Sequence, residues 1–339
     1  MRGLPWTLQG VWVDLFMHGR IIVAATILMM IAVLITGMQS VETPAESDDA
    51  RVELGRHLFY DPLLSLDSTT SCASCHQQFS AFAHIDHALS HGVNGRIGKR
   101  NVPALQNLAD QPTFMWDGAI ENLDMQALSP LTGHDEMGET LPHILTKLKS
   151  SRAYPSMFFA AFGDSVISIP HVLEALGSFC ATLVSVSSRY DRYMAGRDTL
   201  AMNEKRGLEV FRGKCASCHA EPLFTNNTFR SNGLPVDSAL RDTGRIRITF
   251  DEADRYRFKV PSLRNVAVTH PYMHDGRFKR LRDVLGHYGT PSGHADHADP
   301  LVKTIGVLRD DQKKDIIAFL LTLTDDDFLR NPKFGDPRR

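Results

Sequence analysis

Five stretches of the chain place apolar residues along one side of a helix. Residues 52–59 form a short amphipathic pattern, stopped by Asp61-Pro62. Residues 141–149 and 172–184 predict longer helices, and residues 205–211 another. A closing helix is expected over about 310–324, with Ile316, Ile317, Leu320 and Leu321 on its apolar face. From 226 to 259 the chain is polar and rich in turn residues, so mostly loop is expected there. Two of the helical stretches share a pattern, Gly55-Arg56-His57-Leu58-Phe59 and Gly207-Leu208-Glu209-Val210-Phe211. This weak internal repeat points to two similar halves.

One further apolar run, residues 21–36, carries no charge; it follows Arg20 and precedes an acidic stretch from Glu42 to Asp49. As a helix it would span roughly 24 Å, short of a bilayer core of roughly 30 Å. Its length falls between a long signal-peptide core and a short anchor, and Gly37-Met38-Gln39-Ser40 is a poor cleavage site. Residues 1–44 are therefore expected to be either a cleaved signal peptide or a retained membrane anchor, and both put the rest of the chain outside the cytoplasm. The length of 339 residues suggests about two domains at roughly 100–200 residues each. A polar link beginning at Arg189 and centred on Gly196 divides them, into 45–195 and 196–339. A net charge of −2 gives no reason to expect a nucleic-acid partner.

The cysteines change the picture. Four of the five lie in two copies of one pattern, Cys72-Ala73-Ser74-Cys75-His76 and Cys215-Ala216-Ser217-Cys218-His219. C-x-x-C-H is the attachment signal for a c-type haem: the thiols form thioethers with the vinyl groups, and the adjoining histidine lies under the iron. Two copies imply two covalently bound haems, with His76 and His219 as proximal ligands. The wide separation and the adjoining histidines are unlike a zinc ribbon. Cys180, in an apolar run, is expected to be a buried free thiol. Each haem suits a mainly α, cytochrome c-like domain with little sheet.

The order of several motifs resembles the bacterial dihaem cytochrome c peroxidase and MauG-like family over about residues 50–325. The matching pieces are Leu54-Gly55-x-x-Leu58-Phe59-x-Asp61-Pro62, both haem motifs, Arg100-Asn101-x-Pro103, Trp116-Asp117-Gly118, Glu136-Met137, residues 258–266 (Phe-Lys-Val-Pro-Ser-Leu-Arg-Asn-Val) and Pro271-Tyr272-Met273-His274-Asp275-Gly276. The resemblance implies that the first haem is the peroxide site and the second the electron-transfer haem. It makes Trp116 a relay between haems, and Gln126, Pro130 and Glu136 the distal-pocket residues. A carboxylate there can carry a proton from one peroxide oxygen to the other, so that the outer oxygen leaves as water. Some members cap the first haem with a loop histidine; of His84, His87 and His91, His91 fits that place best. The better-known peroxidases carry a methionine as distal ligand of the second haem, where this chain has Tyr288. Tyrosine is the MauG-like feature, and a hard anionic oxygen favours ferric iron. Met273 is the competing ligand. The resemblance also implies a calcium ion held by Asn101, Thr269 and Pro271, oxygen donors suited to a hard cation.

The expected activity is a periplasmic peroxidase that reduces hydrogen peroxide with electrons from a small cytochrome c or cupredoxin. The alternative is a MauG-like oxidase that draws the oxidising equivalents from residues of a partner protein. A plain dihaem electron carrier is a third reading, against which Trp116, Gln126 and Glu136 at family spacing argue. Homodimers occur in the peroxidase branch.

Overall fold

The computed structural model describes residues 44–290 and 295–338. Residues 1–46 and 47–339 form separate units, and the account below concerns the second. The expected signal or anchor stretch lies outside the described residues. No described helix is long and apolar enough to cross a membrane.

The first described helix, α1 (Pro44–Tyr60), starts earlier than its apolar pattern, because the polar residues before Arg51 continue it; Arg51 pairs with Asp48 one turn back at 2.7 Å. The first haem motif forms a single turn, α2 (Cys72–Cys75). Then come α3 (Leu123–Gln126), α4 (Leu128–Thr132), α5 (Leu141–Ser150), α6 (Tyr154–Phe162), α7 (Ile169–Ala181) and α8 (Arg189–Met194). The remainder contains α9 (Met202–Lys214), α10 (Ile246–Thr249), α11 (Leu281–Tyr288), α12 (Pro300–Thr304), α13 (Asp310–Leu321) and α14 (Asp326–Arg330). The 226–259 stretch is mostly loop, as its composition suggests. Its β1 (Phe229–Arg230) pairs antiparallel with β2 (Phe258–Lys259), Phe229 opposite Lys259. The protein is thus mainly helical with little sheet.

Two helix crossings build the core, and a glycine permits each. A Cβ at Gly55 of α1 would lie 1.8 Å from the Ala175 carbonyl oxygen of α7. A Cβ at Gly207 of α9 would lie 1.9 Å from the Asp315 carbonyl oxygen of α13. One turn on, Phe59 meets Phe179 with ring centroids 5.2 Å apart, and Phe211 meets Phe319 at 5.1 Å. Phe82 and Phe224 complete the two aromatic groups, at 5.9 Å from Phe59 and 5.8 Å from Phe211. The short repeat in the sequence is therefore a repeated crossing. The same device recurs at Asn107 and Asn265, both in the left-handed region. Asn107 binds Leu183 O and Ser185 N, while Asn265 binds Leu323 O and Asp325 N, so each asparagine ties down the end of the helix behind it.

These crossings sit in two apolar clusters, one running from Leu54 to Leu183 and one from Tyr190 to Leu323. One buried residue packs out of chain order, since Phe328 joins the first cluster; Tyr190, which precedes the expected boundary at 195/196, opens the second. On α13 the expected face is corrected in one place. Ile316 and Leu320 are buried and Ile317 is partly so, but Leu321 is 53% exposed and Phe319 takes the inward position. The helical turn carries position 321 away from the crossing with α9.

Candidate functional site

Both C-x-x-C-H motifs line one continuous cavity of about 730 Å³, walled mainly by apolar side chains. In the first, Ser71 and Ser74 tie the start of α2, with Ser71 N donating to Ser74 Oγ at 3.0 Å. The backbone then closes with His76 N donating to Cys72 O at 2.8 Å. This single turn puts Cys72 and Cys75 three apart on one side, where both can reach one flat ligand. His76 Nδ1 lies 2.7 Å from the Phe82 carbonyl oxygen. A carbonyl only accepts, so Nδ1 donates and Nε2 keeps its lone pair for a metal. His219 repeats the arrangement, with Nδ1 3.1 Å from Phe224 O and 3.2 Å from Pro261 O. Burial pulls the His76 imidazole down to about 4 and lowers that of His219, so both are neutral and ready to ligate. Burial pushes the Cys72 and Cys215 thiols up to about 12. All five cysteines are free, and Cys180 is buried as its apolar run suggests.

On the side of the cavity that holds the first motif, α3 and α4 present Gln126 and Pro130 to its wall. A turn follows, closed by Glu136 N to Gly133 O at 3.0 Å and Met137 N to Pro130 O at 3.1 Å. This turn carries Glu136 onto the same wall. Its Oε2 is buried and has no hydrogen-bond partner. Burial, with a smaller contribution from Asp135, raises its carboxyl above the usual range. A buried polar atom without a partner is costly unless a ligand supplies one. The His91 loop closes against this turn: Val93 N donates to Glu136 O at 2.8 Å, and a Cβ at Gly92 would lie 2.3 Å from that same oxygen. His91 lines the cavity, stacks on His87 with centroids 4.0 Å apart, and accepts the Cys75 thiol at its carbonyl at 3.4 Å. His84 is buried but does not line the cavity.

Trp116 lines the same cavity. Its indole N–H donates to Asn101 O at 2.9 Å, and its carbonyl accepts from Lys259 N at 2.7 Å. The ring is held by Asn101 and the backbone of Trp116 by Lys259, one residue from each half of the sequence. Arg100 braces the same place. Its guanidinium grips both Asp242 oxygens, at 2.5 and 2.9 Å, and reaches Asp117 at 2.6 Å. Asn101, Thr269 and Pro271 all line this cavity. The Asn101 amide nitrogen is committed to Ala88 O at 2.9 Å, which leaves its Oδ1 as an oxygen donor.

Tyr288, the last residue of α11, lines the cavity on the side of the second motif, together with Met273 and Asn232. Burial raises the Tyr288 phenol, and a hydrogen bond from Asn232 works against that rise. Asn232 also donates to Met273 Sδ at 3.3 Å.

The donors present suit two c-type haems: paired thiols, an imidazole with a free Nε2 beside each pair, apolar walls and a polar atom lacking a partner. The geometry brings every residue expected at the site to one cavity. Sequence reasoning missed Asn232, Lys259 and the pairing of Arg100 with Asp242. Asn232 and Asp242 lie in the loop-rich stretch where only polarity was legible. Lys259 sits inside the Phe-Lys-Val-Pro motif, whose internal contacts the spacing does not reveal.

Known proteins agree. A family described as di-haem cytochrome c peroxidase matches residues 49–199. The methylamine utilization protein MauG of Methylorubrum extorquens is 35% identical over 283 residues, covering 80% of this chain and 78% of that protein. The cytochrome c551 peroxidase of Nitrosomonas europaea is 32% identical, covering 84% of this chain and 82% of the relative. Among solved structures, a MauG-like protein associated with microbial copper homeostasis superposes with a TM-score of 0.78 at 32% identity, over 86% of this chain and 94% of that one. With two haem motifs on one cavity and relatives that match over most of their length, the chain belongs to the di-haem cytochrome c peroxidase family.

Proposed function

We propose that this chain is a dihaem peroxidase that reduces hydrogen peroxide to water, with one c-type haem in each of two cytochrome c-like domains, 45–195 and 196–339. The observation that carries the reading is the unpartnered Oε2 of Glu136 on the cavity wall shared with Cys72, Cys75 and His76. Bound at these motifs, haem would supply an iron to accept peroxide and would pass on the donor's electrons that reduce it. Glu136 takes a proton from the inner peroxide oxygen and returns it to the outer one, which leaves as water. Gln126 and Pro130 shape the pocket, one offering an amide to the substrate and the other keeping the wall rigid and apolar. Trp116 stands between the haem sites and splits one long electron transfer into two shorter ones. His91 is the residue that would cap the first iron in a resting state. Calcium, held by Asn101, Thr269 and Pro271, fixes the backbone beside Trp116. The electron donor is a small periplasmic cytochrome c or cupredoxin; the haems are attached outside the cytoplasm, which the export segment serves.

Tyr288 favours a second reading. A phenolate on the second iron stabilises its oxidised states, as a MauG-like oxidase needs in order to draw electrons from a partner protein. Stopped-flow visible spectroscopy of the all-ferric holoprotein mixed with hydrogen peroxide separates the two. Rapid spectral change without prior reduction supports the oxidase reading and removes His91 as a cap. No change until one electron is added supports the reductively activated peroxidase. A protein inert in both states is neither, and would be an electron carrier.

A further inference from the structure

The carbonyl that orients His76 belongs to Phe82, and Phe82 is held from outside its own half. Its backbone lies in the left-handed region, with φ at 58°, as does that of Ala81 before it, at 53°. Side chains rarely adopt this conformation, and it persists only where the surroundings fix it. The Phe82 ring is fully buried and meets two others edge-on, Phe59 of α1 at 5.9 Å and Phe328 of α14 at 5.8 Å. The second motif has the same parts in another order. Phe224, with φ at 56°, presents its carbonyl to His219, and its ring meets Phe211 at 5.8 Å and Tyr190 at 5.1 Å. Tyr190 lies on α8, just before the half it serves, whereas Phe328 follows the second half and returns to the first. Side chains of the first half fasten that return. Arg56 Nε donates to Gly335 O at 2.7 Å, the Tyr60 hydroxyl to Phe334 O at 2.7 Å and Gln78 Nε2 to Asn331 O at 2.8 Å. Phe334 in turn packs on Phe328, with ring centroids 5.5 Å apart.

We propose that Phe328 is a positioning residue for His76, which it reaches through Phe82. The C-terminal segment is a strap that presses the Phe328 ring onto Phe82, keeps that residue in its left-handed conformation and so fixes the carbonyl 2.7 Å from His76 Nδ1. A hydrogen bond donated by Nδ1 strengthens the other ring nitrogen as a donor to a metal and sets the ring's orientation. Loss of the Phe328 ring frees Phe82 to relax, lengthens this bond and weakens the donor, which disfavours ferric iron. The inference rests on His76 as the ligand of the first haem and not on which haem takes peroxide. Its test reads spectra and potentials, so its failure leaves the peroxidase reading standing.

The test compares full-length holoproteins by visible spectra, potentiometry and hydrogen exchange. Phe328→Leu should shift the first haem's reduction potential upward and change its ferric spectrum, while the second haem stays as it was. Amide exchange should quicken over residues 77–83, where Gln77 N donates to Ala83 O at 3.0 Å and Phe82 N to Gln77 O at 2.8 Å. Phe158→Leu is the control for a merely structural role. Phe158 is as fully buried in the same apolar cluster, but its ring meets Tyr154 and Phe162 instead. It should lower stability and leave the first haem's potential alone. An unmoved first haem in folded Phe328→Leu overturns the proposal, and so does an equal shift in Phe158→Leu. If Phe328→Leu does not fold, Phe334→Leu loosens the strap more gently. A smaller upward shift there supports the role of Phe328, and an unmoved first haem overturns it.

Discussion

Glu136 shows what one residue gains from its surroundings. In the sequence, Asp135-Glu136 reads as a solvated acidic turn, and only the family spacing marks it. The fold buries its Oε2 without a partner and raises its carboxyl, by burial first and by Asp135 second. Only the ionised form can take a proton from peroxide. The rate on peroxide should therefore fall as pH drops through this raised value, at a higher pH than an ordinary glutamate, at about 4.3, would impose. Glu136→Gln keeps the shape and removes the base. Turnover should drop by roughly 10²–10⁴, with that acid limb gone from what activity is left. Peroxide consumption followed across pH, at fixed donor, checks both. An equal loss at every pH with the limb retained would assign the titration to another group. The haem-attachment cysteines and histidines, by contrast, are signalled by spacing along the chain alone.

At the scale of elements, the repeated Gly-x-x-apolar-Phe was visible as a pattern and its cause was not. Helical periodicity reports which face is buried, while the crossing partner comes from another part of the chain. Gly207 and Gly213 share α9 and separate the two effects. A Cβ at Gly207 meets the Asp315 carbonyl at 1.9 Å, whereas a Cβ at Gly213 meets nothing within 4 Å. Gly207→Ala must push α9 away from α13, at a cost of about 1–3 kcal/mol or more. Gly213→Ala should instead stabilise by roughly 0.5–1 kcal/mol, since alanine loses less backbone entropy in a helix. Chemical denaturation of the two holoproteins gives opposite signs on this account, and equal effects would refute the crossing as the reason for Gly207. The same logic explains the closing helix. Its existence was legible from Ile316 and Leu320, but the exposure of Leu321 depended on where α9 crosses.

Across the whole molecule, the two halves of the sequence meet at Trp116, and Arg100 is the strongest tie there. The sequence offered Arg100 only as part of a motif; its partner Asp242 lies in the loop-rich stretch, beyond the reach of any local pattern. Side-chain exposure is 17% for Arg100, 4% for Asp242 and 5% for Asp117. Burial alone would raise the Asp242 carboxyl, but the hydrogen bonds and charge of Arg100 more than offset it and hold it below the usual range. A carboxylate lowered on folding contributes stability above its unfolded value of about 3.9, and that contribution is lost as pH falls through the folded value. Arg100→Leu reverses the sign. Asp242 is then buried without its cation, its carboxyl rises, and its ionised form destabilises the fold at neutral pH by about 3–5 kcal/mol. Acidification relieves this by protonating Asp242. The stability gap between wild type and Arg100→Leu should therefore be largest near pH 7 and narrow toward pH 4, while the gap for a variant at an exposed position such as Arg152→Leu stays flat. Thermal unfolding of the holoproteins over that range measures it. A gap independent of pH would mean that Arg100 acts by packing over Phe258, whose ring centre lies 5.7 Å away, and not through Asp242. Because Arg100 precedes Asn101, whose carbonyl holds the Trp116 indole, loss of the tie should also loosen the indole; if Trp116 is the relay proposed above, the rate of electron exchange between the haems should fall together with stability.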